Sequence, residues 1–370
     1  NMSGPVLFYG ALAALVVAAA GISLIAYRIF KGSFSAERSG SSWAGLRDLR
    51  QLVIKEPQPA RLTLGRVGGK LVAAEERQSV IVLGPTQSMK TTGFAIPAIL
   101  EWEGPVLATS VKSDLLRDTI EARAALDDVW VYDPTSSTTN ACSGWSPLDS
   151  CRSWHGAQRT ASWLAGAAPS GSTGLSDAEF WYQAAAKLLA PLMYAAARTD
   201  RNIGDVVRWV NLQEQREVLK ALEGAEEQAV DAAQASFKRD GRQKSSIYTT
   251  AETVLAAYED PVVAKSAEAV GISPQSFLEW GSRRTLYVVA PSHEQRRLRP
   301  LFETLLHTII SYAYERASQN GPLDPPLLLV LDEAANIAPL RDLDALAEHD
   351  LHQLDGTGST RAPGPSSTPR

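Results

Sequence analysis

The sequence predicts an α/β fold: a parallel β-sheet covered by helices, interrupted by an all-α insertion and preceded by one membrane-spanning helix. Three observations predict it. Apolar runs of four or five residues alternate with helix-length segments from Ser79 to Tyr132 and resume at Thr285. Between about Ser146 and Trp280 the patterns are helical only. Ahead of both, Val6–Tyr27 runs for 22 residues without a charge.

That N-terminal run spans roughly 33 Å at about 1.5 Å per residue, enough for a bilayer core. Arg28 and Lys31 follow it and nothing basic precedes it, which places the bulk of the chain on the cytoplasmic side of the cell membrane. A signal peptide would carry its charge in front and end in a cleavage site. Gly10, Ala14 and Ala18 form a small-residue row suited to packing on another membrane helix. The chain begins at Asn1, which leaves room for upstream sequence, including a further membrane helix.

Composition narrows the partners. With 370 residues the chain can bury a full core, and its net charge of -5 gives no bulk basic field for nucleic acid. Any DNA contact has to be local or built from several subunits. The two cysteines, Cys142 and Cys151, show no metal-ligand spacing and read as reduced thiols.

Ser33–Ser42 is a polar linker. Leu62–Val67 and Lys70–Ala73, joined through Gly68 and Gly69, read as a hairpin leading to the apolar strand Ser79–Leu83. Residues 84–93 then read Gly-Pro-Thr-Gln-Ser-Met-Lys-Thr-Thr-Gly. Gly, four residues, Gly, Lys and Ser/Thr is the pattern of a phosphate-binding loop, met by Gly84, Lys90 and Thr91. Met89 stands where the second glycine belongs, and its side chain is expected to crowd the ligand or tilt the loop. The loop's N–H groups would curl around phosphate oxygens, and the following helix would point its positive end at them. Gly84, Pro85, Thr86, Gln87, Ser88, Met89, Lys90, Thr91 and Thr92 are therefore the candidate nucleotide-binding residues. Lys90 would reach the β- and γ-phosphates, and Thr91 would hold Mg²⁺. An ordinary Gly-Pro turn before an amphipathic helix is the plainer alternative.

Further along, Thr91–Glu103 and Ser113–Leu126 are expected as helices, and Pro105–Thr109 and Val129–Tyr132 as strands. The insertion reads as helices over Ala178–Ala197, Ile203–Ala221, Ala225–Phe237, Ser246–Tyr258 and Pro261–Ala267. The sheet resumes at Thr285–Ala290, followed by a helix over Leu298–Asn320 and the apolar strand Leu327–Leu331. That strand ends in Asp332-Glu333, at the sheet edge where ligands bind in such folds. Asp332 would complete the Mg²⁺ shell, and Glu333 would activate the attacking water as the catalytic base. A core strand closed by an acidic turn is the alternative.

The order and spacing of these motifs resemble the TraG/TraD coupling proteins of type IV secretion and conjugation, with the actinobacterial branch nearest. Further matching landmarks are Ala108–Asp114, Val131–Pro134, Trp145–Leu148, Phe180–Tyr182 and Leu331–Asn336. The resemblance runs from about Leu62 to Leu346. It implies a RecA-like P-loop NTPase core with an inserted all-α domain, ATP and Mg²⁺ as ligands, and Lys112 and Asp114 near the nucleotide edge. It also implies a membrane-anchored homo-hexamer that brings DNA, a relaxase–DNA conjugate or a secreted protein to the channel components. ATP then lies between subunits, and an arginine from a neighbour completes the site. Arg296, Arg297 and Arg299 are candidates for that trans-acting role, or else a solvated helix start. Lys238, Arg239, Arg242 and Lys244 form a basic cluster for DNA phosphate, or a plain exposed loop. Phe180, Trp181 and Tyr182 read mainly as core aromatics.

On this reading the chain divides into a transmembrane helix with its flanks (1–32), a linker (33–61), the first part of the NTPase domain (62–145), the inserted all-α domain (146–281), the second NTPase part (282–346) and a polar tail (347–370). The RecA-like pattern calls for further strands after Asp332, and the 38 residues that follow contain no apolar strand. A frameshift or premature end is the expectation there, with weak ATP turnover as its consequence. Two alternatives remain open: a nucleotide-binding membrane scaffold without efficient hydrolysis, and an FtsK-type DNA translocase, which lacks such a helical insertion.

Overall fold

The computed structural model describes residues 48–85, 87–110, 114–168, 175–268 and 271–332. The expected membrane helix Val6–Tyr27 and the polar tail lie outside them. Among the described residues no helix is long and apolar enough to cross a membrane. All of the elements below lie in a unit that begins at Leu52.

β1 (Val53–Ile54), β2 (Thr63–Val67) and β3 (Lys70–Ala73) form a small antiparallel sheet in the order β1-β3-β2. Its hairpin is the expected one. Gly68 (φ 57°) and Gly69 (φ 79°) are both left-handed, as a two-residue turn between Val67 and Lys70 requires. A wide turn, Thr91–Ala95, leads into α1 (Ile96–Glu101). Next come β4 (Val106–Ser110), α2 (Asp114–Ala124) and β5 (Val129–Tyr132). A 3₁₀ turn at Pro147–Arg152 opens the helical region, which holds α3 (Trp154–Ala167), α4 (Leu175–Arg198), α5 (Ile203–Asn211), α6 (Arg216–Ala221), α7 (Glu227–Phe237), α8 (Gly241–Leu255), α9 (Pro261–Ser266) and α10 (Pro274–Phe277). Finally β6 (Thr285–Val289), α11 (Gln295–Asn320) and β7 (Leu328–Leu331) return to the sheet.

The larger sheet is wholly parallel, in the order β5-β6-β4-β7. β4 and β6 are buried at all five positions, as central strands covered on both faces must be. Alternation sorts their side chains. Val106, Ala108, Tyr287 and Val289 meet Ile99 of α1 and Leu115 of α2 on one face. Leu107, Leu286 and Val288 meet the other cluster, which includes Leu301, Phe302 and Leu305 of α11 and runs on into the helical region. Tyr132 sits in that cluster with the rings of Trp145 and Phe302 edge-on to it at 6.1 and 6.0 Å.

Arg123 ties one layer to the sheet. The side chain is fully buried, and its guanidinium donates to Thr285 Oγ1 and to the carbonyls of Ile99, Trp102, Gly104 and Arg283. Burial pushes its pKa down. Arginine nevertheless stays charged, and its planar fork of donors can serve several acceptors at once. Those acceptors lie on α1, on the turn into β4 and at the start of β6, so one side chain registers three elements.

Three departures from the sequence reading have local causes. Ser79–Leu83 forms no strand, and Ile81 and Leu83 are 84% and 91% exposed. β7 has no ladder partner on its outer side among the described residues. An apolar run becomes a parallel strand only where a neighbour supplies partners for its N–H and C=O groups. The expected helix Ile203–Ala221 is two helices, because Gln213 turns left-handed (φ 50°) and Glu214 Oε1 accepts the N–H groups of Arg216 and Glu217 to start α6. The helix α3 was not expected, although its buried positions recur at helical spacing. Ser153 caps it by accepting from Gly156 N–H, and a Cβ at Gly156 would lie 1.9 Å from the Ser150 carbonyl oxygen. Only glycine permits that approach.

Glu217 links α5 to α6. It accepts from Arg208 Nη2 at 2.6 Å and Trp209 Nε1 at 3.0 Å, which hold its carboxyl down at about 2. A carboxyl depressed in the folded state adds stability above its unfolded value and loses it as pH falls. Acid titration of the folded chain should therefore show a loss of stability between roughly pH 4.3 and the folded value, and Glu217→Gln should flatten that segment of the curve. Arg123→Leu should lower the unfolding free energy by about 3 kcal/mol or more, because it leaves several buried carbonyls unpaired. The urea midpoint of the variant reads this directly, and an unchanged midpoint would contradict the role given to Arg123.

Candidate functional site

The site lies at the carboxyl edge of the parallel sheet. β7 delivers Asp332 there, one residue past its last paired position, and the wide turn at Thr91 meets it. Thr91 Oγ1 donates to Asp332 Oδ2 at 3.0 Å. The two residues are 241 positions apart in sequence, and both are half-buried. A hydroxyl oxygen beside a carboxylate is an oxygen pair that fits a hard divalent cation with water completing the shell.

The loop is closed by its own lysine. Lys90 Nζ donates to the carbonyls of Gly84 at 2.8 Å and Pro85 at 2.7 Å. The ammonium therefore folds back across the loop mouth. Gln87 (φ 61°) and Met89 (φ 59°) are both left-handed, a backbone that turns successive N–H groups to one side. Gly93 N–H then bonds the Met89 carbonyl at 2.7 Å, and the Thr92 hydroxyl reaches the same oxygen at 3.5 Å. Ser88 is exposed, and Thr86 lies outside the described residues.

Met89 gains a different meaning here. The pattern's glycine is needed at this position for a left-handed backbone, and methionine adopts that conformation at a cost of about 1–2 kcal/mol. Its side chain is 67% exposed. The price of the substitution is thus conformational, and it falls on the loop backbone.

The other candidates are distributed unevenly around this edge. Asp114 opens α2 and pairs with Arg117 at 3.4 Å. Lys112 and Glu333 lie outside the described residues. Arg297 is held by Glu294 at 2.7 Å and Asp260 at 3.2 Å, and Arg299 by Glu303 at 2.7 Å. Burial pulls the Arg297 guanidinium down, but its carboxylate partners leave its pKa raised. Arg296 is exposed in the first turn of α11. Asp133, at the end of β5, is buried and accepts from Thr135 and Ser137 hydroxyls and from Thr138 N–H. It shapes the turn after β5. Trp145 and Leu148 are core residues. Trp181 and Tyr182 pack against the core as expected, whereas Phe180 is 51% exposed. The basic cluster marks the α7–α8 junction, with Lys238 donating to Gln234 Oε1 and Lys244 over the Tyr248 ring. The sequence did not show that the Gly84 and Pro85 carbonyls hold Lys90, since backbone acceptors leave no residue signature.

Comparison with known proteins follows this geometry. The profile of the family described as type IV secretory system conjugative DNA transfer matches residues 42–348. A conjugal transfer protein TraG of Escherichia coli is 25% identical over 295 residues, covering 71% of this chain and 44% of that protein. The chain therefore spans less than half the length of that relative. Among solved structures, the plasmid coupling protein TrwB in complex with ADP and Mg²⁺ aligns with a TM-score of 0.61 at 19% identity, over 85% of this chain and 72% of that one. TrwB with a non-hydrolysable ATP analogue aligns with the same TM-score at 20% identity, over the same shares. At that identity the likeness shows the fold, an α/β architecture with a parallel sheet.

Because the Met89 backbone is left-handed, Met89→Gly should raise the unfolding free energy by up to about 1 kcal/mol. Met89→Val should lower it, because branching at Cβ makes a left-handed backbone costlier still. Urea midpoints of the three forms test the order, and a glycine form no more stable than the parent would refute it.

Proposed function

We propose a function from one premise: this chain belongs to the type IV secretory system conjugative DNA transfer family. It is the ATP-binding motor of such a system, coupling DNA, a relaxase–DNA conjugate or a secreted protein to the transfer channel. The observation that carries the reading is the Thr91–Asp332 hydrogen bond, which joins the two nucleotide motifs across 241 residues. The ADP and Mg²⁺ printed for the TrwB complex support the same ligands here. Val6–Tyr27 supplies the membrane anchor, residues 146–281 serve as an inserted all-α domain between the two NTPase parts, and the working form is a homo-hexameric ring.

The residues divide the work by chemistry. Lys90 leaves the Gly84 and Pro85 carbonyls for phosphate oxygens, exchanging neutral acceptors for charged ones and so strengthening its hydrogen bonds. The N–H groups of the loop and the start of α1 bind the same anion. Thr91 Oγ1 and Asp332 Oδ2 hold Mg²⁺, which when bound offsets phosphate charge. Glu333 takes the proton of the attacking water. Of the three arginines, Arg296 is the best placed to act on a neighbouring subunit, because Arg297 and Arg299 are engaged in ion pairs within their own chain.

Three variants separate these roles. Lys90→Ala should weaken ATP binding by about 10- to 100-fold. Asp332→Asn should abolish the dependence of binding on Mg²⁺. Glu333→Gln should keep binding and lower turnover by about 10²- to 10⁴-fold. ATP binding by the parent chain with no turnover, and no change in Glu333→Gln, would instead identify a nucleotide-holding scaffold.

A further inference from the structure

The start of α11 lies at the same sheet edge as Asp332, and no side chain caps it. α11 follows β6 after a short turn and so begins at the carboxyl edge. β4 separates β6 from β7, which puts this start about 10 Å across the sheet from the end of β7, two strand spacings away. Glu294, at the N-cap, makes no cap bond with its carboxylate, and Arg297 takes that group at 2.7 Å. Among the described residues no backbone carbonyl accepts from the N–H groups of Gln295 and Arg296. Such orphan donors are common to helix starts, and water often serves them.

Two buried side chains set this start apart. Gln295 is 5% exposed, and its Nε2 has no hydrogen-bond partner among the described residues. Its spacing to Leu298 and Phe302 puts it on the sheet-facing side of α11. A helical side chain leans towards the N-terminus, so the amide reaches past the first turn to the sheet edge. Thr109 is fully buried, and its hydroxyl also has no partner among the described residues. Like Leu107 two residues before it, Thr109 lies on the α11 face of β4. Its ladder neighbours are Val288 of β6 and Leu331 of β7, the residue before Asp332. Each buried polar group left unpaired costs about 1–3 kcal/mol. Two of them, with two orphan N–H groups at one edge, suit a ligand with several acceptor oxygens.

The surrounding charges admit an anion. Glu294 and Asp260 are both bonded to Arg297, and Arg299 is paired with Glu303. His293 and Arg296 are exposed. The 26-residue helix turns its positive end to the same place.

We propose that the start of α11 binds inorganic phosphate through Gln295 Nε2, the Thr109 hydroxyl and the N–H groups of Gln295 and Arg296. The proposal rests on the nucleotide reading only for the source of the ion. Hydrolysis at the Thr91–Asp332 edge releases phosphate two strands away, and the product leaving the loop is held at α11 on its way to solvent.

Amide hydrogen exchange of the full chain tests the site, with inorganic phosphate as probe and chloride at equal ionic strength as control. At about ten times its dissociation constant, phosphate should slow exchange of the Gln295 and Arg296 amides about tenfold. Gln295→Leu and Thr109→Val should each remove most of that protection. Their urea midpoints should not fall, because each variant deletes an unpaired polar group. Lys90→Ala should lose phosphate protection in the loop and keep it at α11. Three results overturn the site: no phosphate-dependent protection at α11 in the parent, equal protection by chloride, or protection kept in both apolar variants. Loss of the α11 effect in Lys90→Ala also overturns it, since the signal would then come from the loop. A fault in the nucleotide reading shows instead as a parent chain that binds no ATP while phosphate still protects α11.

Discussion

A single hydrogen bond between a threonine hydroxyl and an aspartate carboxylate, Thr91 to Asp332, constrains much of this molecule. For it to form, the loop that follows Gly84 and the strand that precedes Asp332 must end at the same sheet edge. β4 and β7 are parallel and adjacent, and the intervening chain leaves the sheet and returns to it. The helical region between β5 and β6 can be long because its ends return to neighbouring positions: β5 pairs with β6, and β6 with β4.

The sheet that serves this contact is registered from below by a different interaction. Arg123 is buried without a carboxylate, and its donors are taken by a threonine hydroxyl and by carbonyls around the amino ends of β4 and β6. A buried guanidinium is stable only when its donors are satisfied, so the elements that supply the acceptors cannot drift apart without cost. The positions of Ser110 and Val289 at the other end of these strands follow from that anchoring. Rigidity at the amino edge thus supports positioning at the carboxyl edge, where Lys90 and Thr91 hold the loop.

Much of this was legible beforehand. β5 falls where its apolar run placed it, β4, β6 and β7 lie within one residue, and the hairpin turns on Gly68 and Gly69 as read. Spacing singled out Gly84–Thr91 and Asp332, and the structure joins them through the Thr91–Asp332 hydrogen bond. What failed did so for nameable reasons. Ile203–Ala221 was read as one helix, but Glu214 accepts the N–H groups that start a second one and so cuts it. α3 needs a glycine in its first turn, at Gly156 beside the Ser150 carbonyl, a contact that periodicity does not register. Ser79–Leu83 has a strand's composition without a strand's partner. Met89 was read for its side chain, and the structure adds that its backbone is left-handed, with φ 59°.

Local pattern was enough to specify the parallel α/β sheet, most of the element types and the family, because each depends on residues close together in sequence or on the order in which they occur. Tertiary structure decided what depends on residues far apart. It brought Thr91 to Asp332, turned Lys90 onto the carbonyls of Gly84 and Pro85, engaged Arg297 and Arg299 in ion pairs while leaving Arg296 exposed, and buried the Gln295 amide and the Thr109 hydroxyl at one sheet edge. Such outcomes turn on which groups compete for the same partner in space, and a linear order of side chains does not record that competition.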